Sequence, residues 1–233
     1  NDMLKPYVRV PEIYLIKVNK KLSSYSFTIN TYEEGLELIK KAGKVIIKPI
    51  SAGKGKGVHI VSYEEQGFKK DNSPIEEKEL MKILKKEDNW FISEYLHQDK
   101  FSNSLYKETA NTIRLITIKD LETGRFKVLF AVQRIGTSGT IPVDNGSKGA
   151  LVANINLENG ELSEARSLHS LDVHWVHPDS NAAIKGERVP NWDKIKRDIV
   201  ALASKFPYLN FIAWDILITE AGMAIIEAKT SSG

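Results

Sequence analysis

Apolar residues recur along this chain in two periods, and the switches between them mark out its elements. Tyr32, Leu36 and Ile39 fall on one helical face, Thr31 and Glu34 have capping-box spacing, and Gly43 supplies a stop, so a helix is predicted over 32–42. A second is predicted to begin at Ser73-Pro74, with Glu76 at the capping position and Leu80, Ile83 and Leu84 buried. A third runs from Trp192 to Phe206, with Ile195, Ile199 and Leu202 on the same side as both aromatics. Between the helices lie short apolar or alternating runs that read as strands: Val45 to Lys48, Gly57 to Val61, Trp90 to Tyr95, Asn111 to Ile118, Lys127 to Arg134, Ala150 to Ile155, Phe211 to Ile218 and Met223 to Glu227. Thr123-Gly124, Asn159-Gly160 and Ala221-Gly222 join several of them by turns too short for a helical crossover, which predicts largely antiparallel sheets. Strands outnumber helices and do not alternate with them, so the fold class is α+β rather than doubly wound α/β.

Composition narrows the class further. The chain has 233 residues, 42% hydrophobic and 27% charged, enough to bury a core and too apolar for disorder. No internal repeat or Gly/Ser/Pro linker is present, which predicts one large domain or two lobes packed together. No apolar run approaches the roughly 18 residues of a membrane span, and the first residues lack a signal-peptide profile. The absence of cysteine excludes disulfides, thiolate zinc sites and a cysteine nucleophile. Lys+Arg 33 against Asp+Glu 30 gives a net charge of +3, spread along the chain, which gives no support to nucleic-acid binding.

Three segments carry candidate chemistry. In the first, the strand Val45-Ile46-Ile47-Lys48-Pro49 runs into Ser51-Ala52-Gly53-Lys54-Gly55-Lys56-Gly57. Bare glycine backbone can approach phosphate oxygens while the ammonium groups neutralise their charge. The Gly-Lys-Ser/Thr ending of a P-loop is missing and a strand follows, so the reading is strand, flap, strand; a glycine hairpin with solvated lysines would look the same. In the second, Asp215 and Glu227 flank the turn Glu220-Ala221-Gly222, and an unbulged hairpin with a constant index sum places them opposite each other. Like charges in apolar strands need a cation between them, either Mg²⁺ held on ATP phosphates or a lysine or arginine partner for each. In the third, Arg114 and Arg134 lie at strand positions suited to clamping a phosphate or carboxylate, or to pairing with a neighbouring acid. Asp144-Asn145-Gly146 by itself reads as a turn, and His174 and His177 lack a third metal ligand in register. No Gly-x-Ser-x-Gly motif of a serine hydrolase is present.

Taken in order, the glycine flap, Ile92-Ser93-Glu94-Tyr95-Leu96, Asn111-Thr112-Ile113-Arg114, Arg134-Ile135-Gly136, Asp144-Asn145, His177-Pro178-Asp179, Val189-Pro190-Asn191-Trp192, Trp214-Asp215-Ile216 and Ile226-Glu227 resemble the ATP-grasp superfamily. Within it they look like the branch associated with sugar transfer and exopolysaccharide clusters. The resemblance implies two α+β lobes holding ATP between antiparallel sheets: residues 1–96 with the phosphate flap, and residues 97–233 with the metal and substrate site. It implies that Lys48, Lys54 and the backbone of Gly53, Gly55 and Gly57 contact phosphates, that Glu94, Tyr95 and Leu96 form the adenine hinge, and that Gln98 or Asp99 reaches the ribose. Asp215 and Glu227 would hold Mg²⁺, and Arg114, Arg134 and Asn145 would face the transferring phosphoryl group or the acceptor.

The activity implied is that of a cytoplasmic ATP- and Mg²⁺-dependent ligase joining a carboxylate to an amine through an acyl phosphate, with small-molecule substrates. A phosphotransferase acting on a hydroxyl, and a nucleotide-binding module without turnover, are the alternatives. Two departures stand out. The family pattern continues as Glu-x-Asn, with the asparagine a further metal ligand, whereas this chain reads Glu227-Ala228-Lys229, and an ammonium cannot coordinate Mg²⁺. The paired glycines expected after Asp-Asn are reduced to Lys148-Gly149. The chain also begins close to the first lobe and ends just past the metal motif, so flanking segments of a longer protein, including an upstream lysine common in ATP-grasp enzymes, are expected outside it.

Overall fold

A computed structural model of the chain describes residues 3–24, 29–50, 57–170 and 172–230. It divides into two compact units, Pro11–Leu96 and Asn1–Val10 with His97–Gly233. No helix among the described residues is long and apolar enough to cross a membrane.

The smaller unit contains β1 (Ile13–Val18), β2 (Lys21–Ser23), α1 (Tyr32–Ala42), β3 (Lys44–Pro49), β4 (His59–Glu64), β5 (Gly67–Lys70), β6 (Ser73–Pro74), α2 (Glu77–Lys86) and β7 (Trp90–Glu94). Its strands form one antiparallel sheet in the order β2-β1-β7-β3-β4-β5-β6. The Thr31 side chain accepts from Glu34 N–H and the Glu34 carboxylate accepts from Thr31 N–H, so α1 starts with the predicted capping box. Gly43 ends it at φ 73°, where a side chain would be strained. Leu36, Ile39, Leu80 and Leu84 of the two helices pack with Leu15, Val45, Val61 and Ile92 of the sheet.

The second helix departs from expectation. Asp71 and Asn72 both take left-handed backbone (φ 50° and 65°), the pairing geometry of a tight hairpin turn, and they fold Ser73–Pro74 back against Lys69–Lys70 as a strand. The helix therefore begins at Glu77, its N-cap Glu76 makes no side-chain cap, and Ile83 is only half-buried. Its other end is held by Lys17, 2% exposed, whose ammonium donates to the carbonyls of Leu84 (3.0 Å), Lys85 (2.8 Å) and Glu87. These are carbonyls that the last turn of a helix leaves unsatisfied, at the negative end of its dipole.

The larger unit contains α3 (Lys100–Leu105), β8 (Ile113–Lys119), β9 (Phe126–Ile135), β10 (Leu151–Ile155), β11 (Leu162–Ser167), β12 (Val173–His174), α4 (Trp192–Ala203), β13 (Phe211–Thr219) and β14 (Gly222–Lys229). Its antiparallel sheet runs β12-β11-β10-β9-β8-β13-β14. One face, with Ile113, Leu115, Ile212, Trp214 and Ile216, packs on Trp192, Ile195, Ile199 and Leu202 of α4. The third helix ends at Ala203, three residues short of expectation, although Phe206 is still buried in the same core. The first ten residues, expected with the N-terminal lobe, belong to this unit: Leu4 and Val10 are in its core, and Ile225 N–H donates to Arg9 O at 2.9 Å.

Replacing Lys17 by methionine keeps the stem but removes the donor shared by the Leu84, Lys85 and Glu87 carbonyls, of which Glu87 O keeps Trp90 Nε1 at 3.2 Å. A loss of about 2 kcal/mol in urea unfolding is expected, against none for the same change at exposed Lys41.

Candidate active site

The register of the larger sheet assembles charged side chains on the face opposite α4. Asp215 of β13 pairs with Arg114 of β8 on one side and Glu227 of β14 on the other, and Arg114 pairs with Val132 of β9. Side chains alternate between faces, so this row points away from Trp214 and Ile216, which lie in the core. The turn closes at Thr219↔Gly222, and the pairs Ile218↔Met223 and Ile216↔Ile225 share its index sum; a shift between Asp215 and Ile216 then brings Glu227 opposite Asp215. The expected pairing is present, but a bulge at Ile226 produces it rather than the uniform register expected. Ile225 is fully buried in the core, so in an unbulged strand Glu227, two residues on, would face the core too. The bulge turns it to the charged face.

On that face Asp215 is the hub. Arg114 grips it through Nε to Oδ1 (2.5 Å) and Nη2 to Oδ2 (3.1 Å), and Arg134 Nη2 reaches Oδ1 at 3.2 Å. Arg134 also donates to Thr112 Oγ1, from Nε at 3.0 Å and Nη2 at 2.5 Å. Thr112 passes its hydroxyl proton toward Asp144 Oδ2 (2.5 Å), which accepts the Thr112 N–H as well (2.7 Å) and lies 3.6 Å from Arg134 Nε. Glu227 Oε2 pairs with Lys229 Nζ at 3.4 Å. Three carboxylates thus face three cations, and each carboxylate has a cationic partner.

Burial is the largest single influence on the titration of Asp144 and of Arg134. It pushes the Asp144 carboxyl above the usual carboxylate range, although Arg134 and the Thr112 donors oppose it. For Arg134 burial works against the charge, and the Asp144 and Asp215 carboxylates more than offset it, raising its pKa.

The other expected site residues fall as follows. Lys48 lies on β3 opposite Phe91, and Gly57 is at φ 69° where a Cβ would come 2.8 Å from Pro49 Cγ, so only glycine suits the end of that loop. Gly53, Lys54 and Gly55 lie outside the described residues. Glu94 ends β7 and its Oε2 accepts from Glu12 N–H at 3.2 Å; Tyr95 lies under Lys44 Nζ at 4.2 Å, and Leu96 is half-buried. Gln98 is buried, its amide donates to Asn103 Oδ1 and Thr109 O, and its carbonyl accepts from Asn111 N–H, all within the larger unit. Asp99 caps α3 through Ser102 N–H at 2.8 Å. Asn145 spends its Oδ1 on Ser147 N–H and Oγ, both at 2.8 Å, and it is the adjacent Asp144 that enters the charged cluster. Asp144 and Thr112 stand in segments that carry the family resemblance, but neither is assigned a role there: by itself Asp144 reads as a turn residue and Thr112 as a neighbour of Arg114.

His177 is structural. It is fully buried, stacked on Tyr106 at 4.6 Å, donates from Nε2 to Gly136 O and accepts at Nδ1 from Asp179 and Ser180 N–H. Among the described residues no group of three or more His, Asp or Glu side chains gathers as a metal cluster. What is present is a pair of carboxylates in register with cationic groups already against both. That donor set fits one Mg²⁺ that brings phosphate oxygens as its remaining ligands.

A model of the family described as sugar-transfer associated ATP-grasp matches residues 3–233. The chain belongs to that family. Among solved structures this ATP-grasp chain is similar to N5-carboxyaminoimidazole ribonucleotide synthetase in its ADP complex, at 13% identity and TM-score 0.53, covering 99% of this chain and 43% of the other. The same enzyme from Thermotoga maritima gives 11% identity, TM-score 0.49 and coverage of 98% and 39%. D-alanine–D-alanine ligase from Bacillus anthracis gives 14% identity, TM-score 0.47 and coverage of 100% and 54%. At such identities the first comparison establishes the ATP-grasp fold and no more. The chain spans roughly half or less of the length of these structures. No curated protein matches its sequence.

Because folding raises the Asp144 pKa, the folded state holds a proton there more tightly than the unfolded one. The contribution to stability is greatest below the unfolded pKa and falls as pH rises through the folded value. Asp144→Asn keeps an acceptor for Thr112 and removes that titration. Urea unfolding followed from acid to neutral pH should show the fall in the natural protein and its absence in the variant.

Proposed function

We propose that this protein is an ATP- and Mg²⁺-dependent carboxylate–amine ligase that acts through an acyl phosphate, with an amino acid and a sugar or peptide precursor of a surface polysaccharide as the substrate class. The observation that carries the reading is the row Arg114, Asp215 and Glu227 in register on one sheet face, with Arg134 alongside. Membership of a sugar-transfer associated family supports the polysaccharide context. In the smaller unit, Lys48, the glycine loop ending at Gly57 and the segment Glu94–Leu96 are the proposed nucleotide contacts.

The substrate carboxylate attacks the γ-phosphorus, the bond to the β-phosphate oxygen breaks, and ADP leaves. The amine then attacks the acyl carbon, loses a proton and expels phosphate, forming an amide. No protein nucleophile is needed. Phosphoryl transfer depends on positioning and charge neutralisation, which Arg114 and Arg134 supply: Thr112 holds the planar donors of Arg134 in place, and Asp215 holds those of Arg114 until metal and nucleotide arrive. Asp215 and Glu227 would hold Mg²⁺, which when bound neutralises phosphate charge. Asp144 orients Arg134 through Thr112 and is a positioning residue.

The ion pair of Lys229 with Glu227 favours a second reading, a nucleotide-binding protein without turnover, because it engages one of the two metal carboxylates. ADP release separates the readings. A ligase releases ADP only when acid and amine are both supplied, and hydroxylamine in place of the amine yields a hydroxamate. Glu227→Gln should lower that turnover at least about 100-fold without loss of fold, since the side chain is 54% exposed. ADP release with a hydroxyl acceptor and no amine would establish a kinase instead, and no release with any pair would leave the binding role.

A further inference from the structure

The two carboxylates proposed for the metal are both engaged, and by residues of one kind. Arg114 occupies both oxygens of Asp215 while Arg134 takes a third lone-pair position, and Lys229 stands against Glu227. Lys229 is on the same face: it pairs with Ala213, two residues from Asp215, just as Glu227 pairs with Asp215 itself. A divalent ion that approached without phosphate would have to displace these cations and would leave up to three positive groups with nothing to neutralise them. An ion that arrives with a polyphosphate brings the replacement partner, because guanidinium and ammonium groups bind phosphate oxygens as readily as carboxylates.

Resting on the ligase reading, we infer that Arg114 and Lys229 are exchangeable counter-cations: they compete with the metal for Asp215 and Glu227, and move to the nucleotide phosphates when metal and nucleotide enter together. The exchange makes bare metal binding weak and couples it to the nucleotide. The two pairs differ in how freely they exchange. Lys229 and Glu227 are 32% and 54% exposed, so their exchange exposes little new charge, whereas Arg114 and Asp215, at 21% and 9%, give up a buried bidentate contact.

The inference fixes the sign of an effect that a metal ligand, or a residue that only maintains the fold, would not produce. Lys229→Met removes the charge and adds no ligand, so Mn²⁺ binding without nucleotide, read from the loss of the free-ion EPR signal, should tighten about fivefold. In the same variant ATP binding in EDTA, read by calorimetry, should weaken about fivefold. Arg114→Met should tighten Mn²⁺ in the same direction, but leaves Asp215 buried without its main partner. Lys229→Met therefore decides the matter if that protein does not fold. Mn²⁺ affinity unchanged or lowered by Lys229→Met overturns the inference, as does Mn²⁺ binding that survives Glu227→Gln undiminished, or tighter metal with no loss of metal-free ATP. If the natural protein binds no ATP with or without metal, it is the nucleotide reading that fails, and the Mn²⁺ measurements still decide the competition.

Discussion

The contact between Arg114 and Asp215 is the constraint around which the larger unit is arranged. A guanidinium and a carboxylate can be held largely out of water only if their geometry is bidentate and the remaining lone pairs are met, and removing one partner from such a pair costs on the order of 3–5 kcal/mol. Here β8 and β13 place the two side chains directly across a ladder rung, Arg134 meets the next lone pair of Asp215, and Thr112 ties Arg134 to Asp144. The face opposite is closed by the apolar stripe of α4. A sheet that packs one side on a helix can present polar chemistry on the other without opening its core.

That arrangement also explains why the cluster is balanced rather than a bare anion site. Asp144, Asp215 and Glu227 answer Arg114, Arg134 and Lys229 pair by pair, so the face is stable as it stands and still offers cations that can change partners. Asp144 and Asp215 are both buried, and Asp144 serves geometry; Glu227 is the most exposed and serves exchange. The gradient of burial along the row turns one ion-pair network into a positioned part and a movable part.

Much of this was legible in the sequence because local rules and tertiary demands agree. The capping box at Thr31, the stop at Gly43 and the antiparallel β13–β14 hairpin follow from spacing alone. What escaped depends on contacts distant in sequence or on backbone detail. The left-handed pair Asp71-Asn72 took Ser73–Pro74 from the helix into a strand, since a tight hairpin turn outweighs a weak capping signal. The Ile226 bulge cannot be read from an index sum, yet without it Ile225 and Glu227 would share a face. Asp144 was hidden behind Asn145 because a turn motif says which residues bend the chain, not which one points at an arginine 10 residues back. Gln98 carried no mark of the three internal hydrogen bonds that bury it.

The central claim is that this chain binds a nucleotide through its phosphates, and calorimetric titration of ATP tests it most directly, with and without Mg²⁺, on the natural protein and on Lys48→Ala. The account predicts saturable binding strengthened by Mg²⁺ and weakened at least about tenfold in the variant. Absence of binding in the natural protein, or equal binding by both proteins, would contradict it.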